Sequence, residues 1–275
     1  MRVARISCVL SRHGNTAGCG VVACPSMNSR ARFETSHVSV SVAGLAPEHH
    51  GLTIAHLTDP HVGIHTPEER LRGAVQAAND LEPDLVVLTG DYVTWSKRPV
   101  AHLARVLGGL RSPVFCVLGN HDHVVDAASV RQQLERAGYT VLQNEHRAVT
   151  LRGRLVHVVG IDDQRTKHAD VPRAFAGVPT QGTRIVLTHV PTTSELLPPD
   201  QNLVCFAGHT HGGQIHFGSL TTRIAKRVGH RYLAGLHAVK GNHLYVGRGL
   251  AYGKGSLLPR RRCPPELALI ELKAA

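Results

Sequence analysis

Polar residues that can bind metal ions follow five apolar runs of this chain. The runs end in "LTDPH", "LTGDY", "LGNHD", "LTHVP" and "AGHTH", at residues 57–61, 88–92, 118–122, 187–191 and 207–211. A single aspartate or histidine at a strand end is usually a turn or cap residue. Five clusters of the same residue types indicate one shared site instead. The candidate residues are Asp59, His61, Asp91, Asn120, His121, Asp122, His189, His209 and His211.

These candidate ligands offer nitrogen and oxygen donors but no sulfur. Carboxylates, imidazoles and an amide are typical of Mn, Fe or Zn sites, rather than of a structural Cys-bound zinc or a calcium cage. Seven or eight ligands are too many for one ion and fit two. Two ions about 3.5–4 Å apart can hold a phosphorus centre for in-line displacement, with a hydroxide between them as the attacking group. The pattern therefore favours hydrolysis at phosphorus.

Short apolar segments and amphipathic segments alternate from about residue 33 onward. Strands are predicted near 52–59, 84–91, 113–118, 183–191 and 202–211, and helices over 67–82, 99–110 and 126–138. This alternation is typical of an α/β layered domain whose sheet is at least partly parallel. Further short strands follow at 140–143, 146–151 and 154–161, and near 235–239, 243–247 and 266–272; their bunching predicts a second, mixed sheet. Ligands of open α/β sheets bind outside the carboxyl ends of the strands, where the candidate residues lie.

Composition limits the possible partners. The chain has 275 residues, 42% of them hydrophobic, and a formal net charge of +11, which favours anionic partners of any kind. It has one Trp, five Phe and five Tyr, few for a nuclease that stacks bases on aromatic side chains, so nucleic acid is disfavoured. No segment has the apolar length of a secretory signal or a membrane span. We expect a cytoplasmic protein that contacts membranes at most peripherally.

Residues 1–30 differ from the rest of the chain. They begin with positive charge, and their apolar stretches are only a few residues long. We expect a disordered tail or a mis-assigned start here, and a single domain over residues 31–275.

The five clusters resemble the motifs of the calcineurin-like metallophosphoesterases. That family carries D-x-H, G-D-x-x, G-N-H-D/E, a lone histidine and G-H-x-H in this order, and the match extends over roughly residues 50–217. With the C-terminal stretch "LYVGRGLAYG…RCPPELALIEL", the resemblance covers about 35–272. It is closest to a bacterial branch of phosphodiesterases, often membrane-tethered, that includes relatives of UDP-diacylglucosamine hydrolases. The implied fold is a layered α/β sandwich of two mixed β-sheets flanked by helices.

The resemblance also implies a role for each matching residue. Asp59, His61, Asp91 and His211 would hold one ion, and Asp91, Asn120, His189 and His209 the other. His121 would stabilise the phosphoryl oxygens or protonate the leaving group, and Asp122 would orient it. Because ligating histidines must be neutral, activity should fall in acid.

Two further residues and two basic segments are candidates for substrate contact. His216 lies five positions after His211 and is expected near the pocket but outside the metal shell. Gln214 is a substrate contact by the resemblance. The segments "TTRIAKRVGHR" and "PRRRCPP", at 221–231 and 259–265, are either a solvated cationic face or a collar that attracts an anionic substrate or lipid headgroup.

Three functions follow from these observations. The first is a two-metal phosphoesterase acting on phosphodiesters, including lipid-linked or nucleotide-linked pyrophosphates. The second is a nuclease of the same superfamily, and the third is a non-catalytic binding module built on the metal site. The pair His121–Asp122 argues against the third, since a scaffold does not need a proton donor beside its metals.

Overall fold

The computed structural model describes residues 31–63, 66–213, 231–251, 260 and 263–275. Two six-stranded sheets pack face to face, and helices cover their outer faces. The prediction of two mixed sheets flanked by helices is confirmed. Among the described residues, no helix is both long and apolar enough to cross a bilayer.

The first sheet contains β1 (Glu34–Val42), β2 (Thr53–Leu57), β3 (Leu85–Thr89), β4 (Val114–Val117), β5 (Thr140–Val141) and β12 (Glu266–Ala274). Its strand order is β1-β12-β2-β3-β4-β5. Strands β2 to β5 are parallel to one another, β12 is antiparallel to β2, and β1 is parallel to β12.

The second sheet contains β6 (Glu145–Leu151), β7 (Arg154–Gly160), β8 (Thr183–Leu187), β9 (Val204–Ala207), β10 (Gly235–Val239) and β11 (Asn242–Val246). Its strand order is β10-β11-β9-β8-β7-β6. Strands β7, β8, β9 and β11 are parallel, and β6 and β10 are antiparallel edge strands.

The helices are α1 (Glu68–Asp80), α2 (Leu103–Leu107), α3 (Asn120–Val125), α4 (Ala127–Arg136) and α5 (Val171–Ala174). In α1, residues Leu71, Ala74, Val75 and Ala78 recur at helical spacing and are buried. Most of them pack against the first sheet, together with residues of α2 and α4. The central strands are buried on both faces, which explains their continuous apolar sequences.

Two features of the fold were not specified by the sequence pattern. The second mixed sheet predicted from the bunched strands is formed by β6 to β11, whereas the last of these strands, β12, joins the first sheet between β1 and β2. Its residues Ala268, Ile270 and Leu272 face the core between the sheets and Leu267 faces the helices, but this alternation does not specify which strands a distant strand pairs with. The segment after Gly119, for which no helix was predicted, forms α3, because the Asp122 side chain caps the Gly119 N–H.

One ion pair ties the two sheets together at the end away from the candidate residues. Arg152, in the β6–β7 turn, donates through Nε and Nη2 to the two carboxylate oxygens of Asp84, at 2.9 and 2.8 Å. The same guanidinium donates to the carbonyls of His50 and Gly51 at 3.0 Å. Burial alone would raise the pKa of Asp84, but the bonds from Arg152 and Thr53 hold it below its usual value.

We expect Arg152→Ala to lower the free energy of unfolding by about 1–2 kcal/mol at neutral pH, because a bidentate charged pair and two carbonyl bonds are lost. Since the pKa of Asp84 is lower in the folded than in the unfolded chain, the ion-pair part of this contribution is present above the unfolded-state value, about 3.9, and is lost as pH falls through the folded-state value. Urea unfolding at several pH values measures it.

The matched control is Arg154→Ala. Arg154 is 60% exposed and meets Glu48 at 3.6 Å only, so its loss should be nearly neutral. Equal destabilisation by both substitutions, or an Arg152 effect that is not reduced in acid, would contradict this assignment.

Candidate metal centre

The polar clusters predicted from the sequence meet at one edge of the sandwich, where strands of both sheets end. The first sheet contributes Asp59 after β2, Asp91 after β3 and the start of α3 after β4. The second sheet contributes His189 after β8, and His209 and His211 after β9. The site therefore lies across the two sheets.

Asp59, His61 and His211 form a first group whose ligand atoms all lie within 4.8 Å of one another. The Nε2 atoms of His61 and His211 are 3.2 Å apart, and Nε2 of His211 is 3.3 Å from Oδ1 of Asp59. The two imidazole rings are stacked, with centroids 5.1 Å apart. All three residues are buried, and together they could hold a metal ion.

Asp91, His189 and His209 form a second group with the same compactness. Nε2 of His189 is 3.2 Å from Oδ2 of Asp91 and 3.2 Å from Nδ1 of His209. These three residues are also buried. The second group has the same donor chemistry as the first and could also hold an ion.

The carboxylate of Asp91 lies between the two groups. Its Oδ2 is 3.2 Å from His189 Nε2 in the second group and 3.7 Å from His61 Nε2 in the first. Its Oδ1 accepts the backbone N–H of His121 at 2.9 Å. One oxygen thus fixes the side chain to α3, and the other faces both groups.

Neighbouring oxygens set the orientation of two of these imidazoles. His189 Nδ1 donates to the Thr89 carbonyl at 2.7 Å, so the other ring nitrogen, Nε2, faces Asp91. His61 Nδ1 lies 2.9 Å from Thr94 Oγ1, which likewise directs Nε2 into the site. Such partners commonly fix the tautomer of metal-binding histidines.

The backbone at the site is strained. Asp59, His61, Asp91, His209 and His211 all have left-handed φ, between 41° and 68°. Non-glycine residues rarely adopt this conformation, and it concentrates at functional sites when the surrounding fold enforces it. These residues stand within four positions after β2, β3 and β9, where the chain leaves the strands.

Two glycines allow the strand ends to approach this closely. A Cβ at Gly119 would collide with Oδ1 and the backbone nitrogen of Asp91, and a Cβ at Gly208 with Thr58 Oγ1 and Asp59 Oδ2. Glycine is therefore required beside both carboxylates by space rather than by φ.

Charge is distributed unevenly among the buried groups. Burial raises the pKa of Asp59 to about 6, and the nearby Asp91 adds to this. Burial alone would also raise the pKa of Asp91, but the nearby His189 holds the pKa of Asp91 well below the usual range. Burial opposes a charge on His189 as well, yet Asp91 raises its pKa to about 10. The Asp91–His189 pair is thus oppositely charged.

The remaining imidazoles with shifted pKa values favour the neutral form. Burial lowers the pKa of His61 to about 4, with Asp91 opposing the shift. Burial also lowers the pKa of His211 well below its usual value. Neutral imidazoles are the form that binds metals.

Asn120 and His121 stand at the first turn of α3, beside Asp91. Oδ1 of Asn120 is buried and has no hydrogen-bond partner among the described residues. His121 Nδ1 is 3.4 Å from the Thr94 carbonyl, and its Nε2 is 3.9 Å from Oδ2 of Asp91. Because a carbonyl only accepts, Nδ1 carries a proton and Nε2 faces the site.

Asp122 contacts different atoms from those expected. Its carboxylate accepts the backbone N–H groups of Tyr92, Val93 and Gly119, at 2.8, 3.2 and 2.8 Å. The Thr94 carbonyl, rather than Asp122, meets the His121 ring. Asp122 therefore positions His121 through the backbone, by fixing the loop after β3 and the first turn of α3, and not by a bond to the imidazole. Burial raises the pKa of Asp122 to about 7, with Asp91 adding to the rise.

Three residues at this site were missed by the sequence analysis. Thr94 contacts both His61 and His121, and Trp95 packs its ring edge-on against His121 at a centroid distance of 4.8 Å. Arg260 places Nη2 3.1 Å from Nδ1 of His211. Position in the loop directly after "LTGDY" was an available signal for Thr94 and Trp95. Arg260 lies in the predicted basic segment 259–265, but nothing in that segment distinguishes it from its neighbours.

Some predicted contacts lie outside the described residues. These are Gln214, His216, the expected tail at 1–30, and residues 221–230, 259, 261 and 262 of the two basic segments. They remain predictions.

Comparison with known proteins gives one consistent family. Residues 52–213 match the family model described as Calcineurin-like phosphoesterase. Phosphodiesterase YaeI of Escherichia coli (strain K12) is 32% identical over 227 residues, which cover 80% of this chain and 81% of that protein. UDP-2,3-diacylglucosamine pyrophosphatase LpxG of Chlamydia trachomatis is 28% identical, over 80% of this chain and 83% of that protein.

A solved structure supports the fold alone. TT1561 of Thermus thermophilus superposes with a TM-score of 0.52 at 14% identity, over 74% of this chain and 92% of that one. The matched residues 52–213 include every member of both metal-binding groups. This chain belongs to the calcineurin-like phosphoesterases, a metal-dependent family, and is a hydrolase of phosphoester bonds.

Proposed function

We propose that this protein is a phosphodiesterase that works with two divalent cations. Asp59, His61 and His211 hold one ion, His189, His209 and Asn120 hold the other, and Asp91 is shared. The observation that carries the proposal is the position of Asp91 Oδ2, within 3.7 Å of a histidine in each group. A carboxylate between two ligand sets is the arrangement that a pair of ions requires.

The donor atoms fit such ions. Asn120 Oδ1 is buried with no hydrogen-bond partner among the described residues, and a buried polar atom in that condition is costly unless a ligand satisfies it. Two buried carboxylates close together also require compensating positive charge. Imidazole, carboxylate and amide donors favour Mn, Fe or Zn.

When bound, the ions would supply positive charge to the phosphoryl oxygens and acidify a water molecule. The chain's own residues must then place the substrate and move the remaining proton. Hydrolysis joins the oxygen of water to phosphorus and breaks the bond from phosphorus to the leaving oxygen. That oxygen departs as an alcohol if a proton reaches it.

His121, with both ring nitrogens protonated, is placed to provide this proton from Nε2. Its Nδ1–H is engaged by the Thr94 carbonyl, so the ring cannot turn without losing that bond. Nε2 faces Asp91 and the two groups, and the side chain remains 10% exposed, which leaves it accessible to a bound substrate. The backbone N–H of His121 on Asp91 fixes the distance between the proton donor and the shared carboxylate.

The names of the relatives support a diester or a pyrophosphate as the substrate. Phosphodiesterase YaeI and the pyrophosphatase LpxG each match about four fifths of this chain. Both reactions cleave a P–O bond and release an oxygen that carries a substituent, so the same proton donor serves either one.

We expect metal-stripped protein to be inactive and to regain turnover of bis-p-nitrophenyl phosphate when Mn²⁺ is added. The diester should be hydrolysed faster than p-nitrophenyl phosphate. Single-stranded DNA and a UDP-linked lipid, assayed alongside, test the nuclease and the pyrophosphatase alternatives. If the fully metallated protein hydrolyses none of the four compounds, the protein is a non-catalytic binding module instead.

Asp91→Asn is expected to reduce bound Mn²⁺ from two ions per chain to one or none, and to lower turnover more than roughly 100-fold. Asparagine can still accept the His121 N–H through Oδ1 but cannot supply a shared anionic oxygen. Elemental analysis of the dialysed protein measures the stoichiometry. Asp84→Asn, a carboxylate at the other end of the sandwich, should retain both ions; unchanged metal content in Asp91→Asn would refute the shared-ligand assignment.

His121→Gln should keep both ions and lower kcat by roughly 10²–10⁴-fold, the usual range for a general acid. The loss should grow as the leaving alcohol becomes less acidic, because a poor leaving group depends more on protonation. Rates with a series of aryl and alkyl diesters measure this slope. His157→Gln, on β7, serves as the control. A loss independent of the leaving group would show that His121 does not donate the proton.

A further inference from the structure

The only tryptophan of the chain is exposed at the mouth of the candidate metal centre. Trp95 is 70% exposed, although a large aromatic side chain normally buries most of its surface. Its indole meets the His121 imidazole at an interplanar angle of 79°. The ring therefore contacts the proposed proton donor while most of its surface faces solvent.

The loop that carries Trp95 is fixed by bonds from the residues before it. Directly before it, Thr94 bonds His61 through Oγ1, and its carbonyl meets His121. Further back, the N–H groups of Tyr92 and Val93 bond the buried carboxylate of Asp122. These bonds fix the backbone that leads to Trp95, and its indole is positioned against the His121 ring.

A second exposed apolar side chain lies on the same side. Val124 follows His121 by three positions on α3, so both project from neighbouring positions of that helix, and Val124 is 65% exposed. Trp95 contacts the residue proposed to protonate the leaving oxygen, and Val124 is that residue's neighbour along the helix. A substituent on that oxygen would therefore come close to the indole of Trp95.

We propose that Trp95 contacts the leaving group and selects phosphodiesters whose leaving alcohol carries a flat ring, such as an aryl group or a nucleoside base. This inference rests on the proposed function and specifies its substrate class. Rings stack or meet edge-on with indole, whereas a small alkyl group leaves most of the indole in water. Trp95 binds the substrate and takes no part in the proton transfer.

The single tryptophan makes binding directly visible. Zn²⁺-loaded protein is titrated with phenylphosphonate, methylphosphonate and octylphosphonate, whose C–P bonds are not hydrolysed. Phenylphosphonate should change the intensity and wavelength of the indole emission, and methylphosphonate should leave both nearly unchanged. An equal change with methylphosphonate, or a larger one with octylphosphonate, overturns the preference for a ring.

Kinetics of Trp95→Ala and Trp95→Phe give an independent readout. With methyl p-nitrophenyl phosphate, Trp95→Ala should raise KM roughly tenfold with little change in kcat, since a stacking contact formed in the bound ground state persists in the transition state. Trp95→Phe should restore most of the affinity. With bis(trifluoroethyl) phosphate, whose leaving group is acidic but has no ring, both variants should match the wild-type protein.

Leu155→Ala is the matched control, because Leu155 is 55% exposed at the start of β7 and far along that strand from its end at the site. Equal losses on both substrates, or a loss in kcat alone, would refute leaving-group contact. If the wild-type protein turns over substrate and the Trp95 variants show the same kinetics, only this inference is refuted. Absence of turnover in the metallated wild-type protein defeats the proposed function itself.

Discussion

The buried carboxylate of Asp91 determines where its hydrogen-bond and charge partners must lie. It is a buried anion with one oxygen bound to the start of α3 and the other directed at histidines from both sheets. A buried carboxylate is tolerated only where positive charge or hydrogen bonds compensate its desolvation. The His189 imidazole supplies this positive charge. Asp91 in turn raises the pKa of His189 to about 10 against the effect of burial. A metal ion would meet the same need in the complex.

The two sheets share the task of building the site. The first supplies carboxylates and the amide, and the second supplies three of the four imidazoles in the two groups. Neither sheet alone contains a complete group, since the first group takes His211 from the second sheet and the second takes Asp91 from the first. The apolar packing between the sheets, which includes Ile54, Val87, Ile185 and Phe206, therefore also sets the distances between ligand atoms.

The residues that follow the apolar strands, and their shared location, could be predicted from the sequence. Apolar strands followed by Asp, Asn or His identify Asp59, Asp91 and His189, because parallel strands end at a common edge. Contacts made through the backbone could not be predicted. Asp122 binds amide hydrogens of a loop 30 residues away, and the Thr94 carbonyl rather than a carboxylate meets His121. Any residue type carries those amides and carbonyls, so composition and spacing hold no signal for them.

The position of β12 has a consequence for how the molecule forms. This strand, from the last part of the chain, lies between β1 and β2 and pairs with both. During synthesis on the ribosome, β1 and the strand that leads to Asp59 are made more than 200 residues before the neighbour that joins them. Until Glu266–Ala274 is available, both have an unpaired edge, and such edges template aggregation. Completion of the first sheet is thus expected to be late and slow, because contacts of high sequence separation close last.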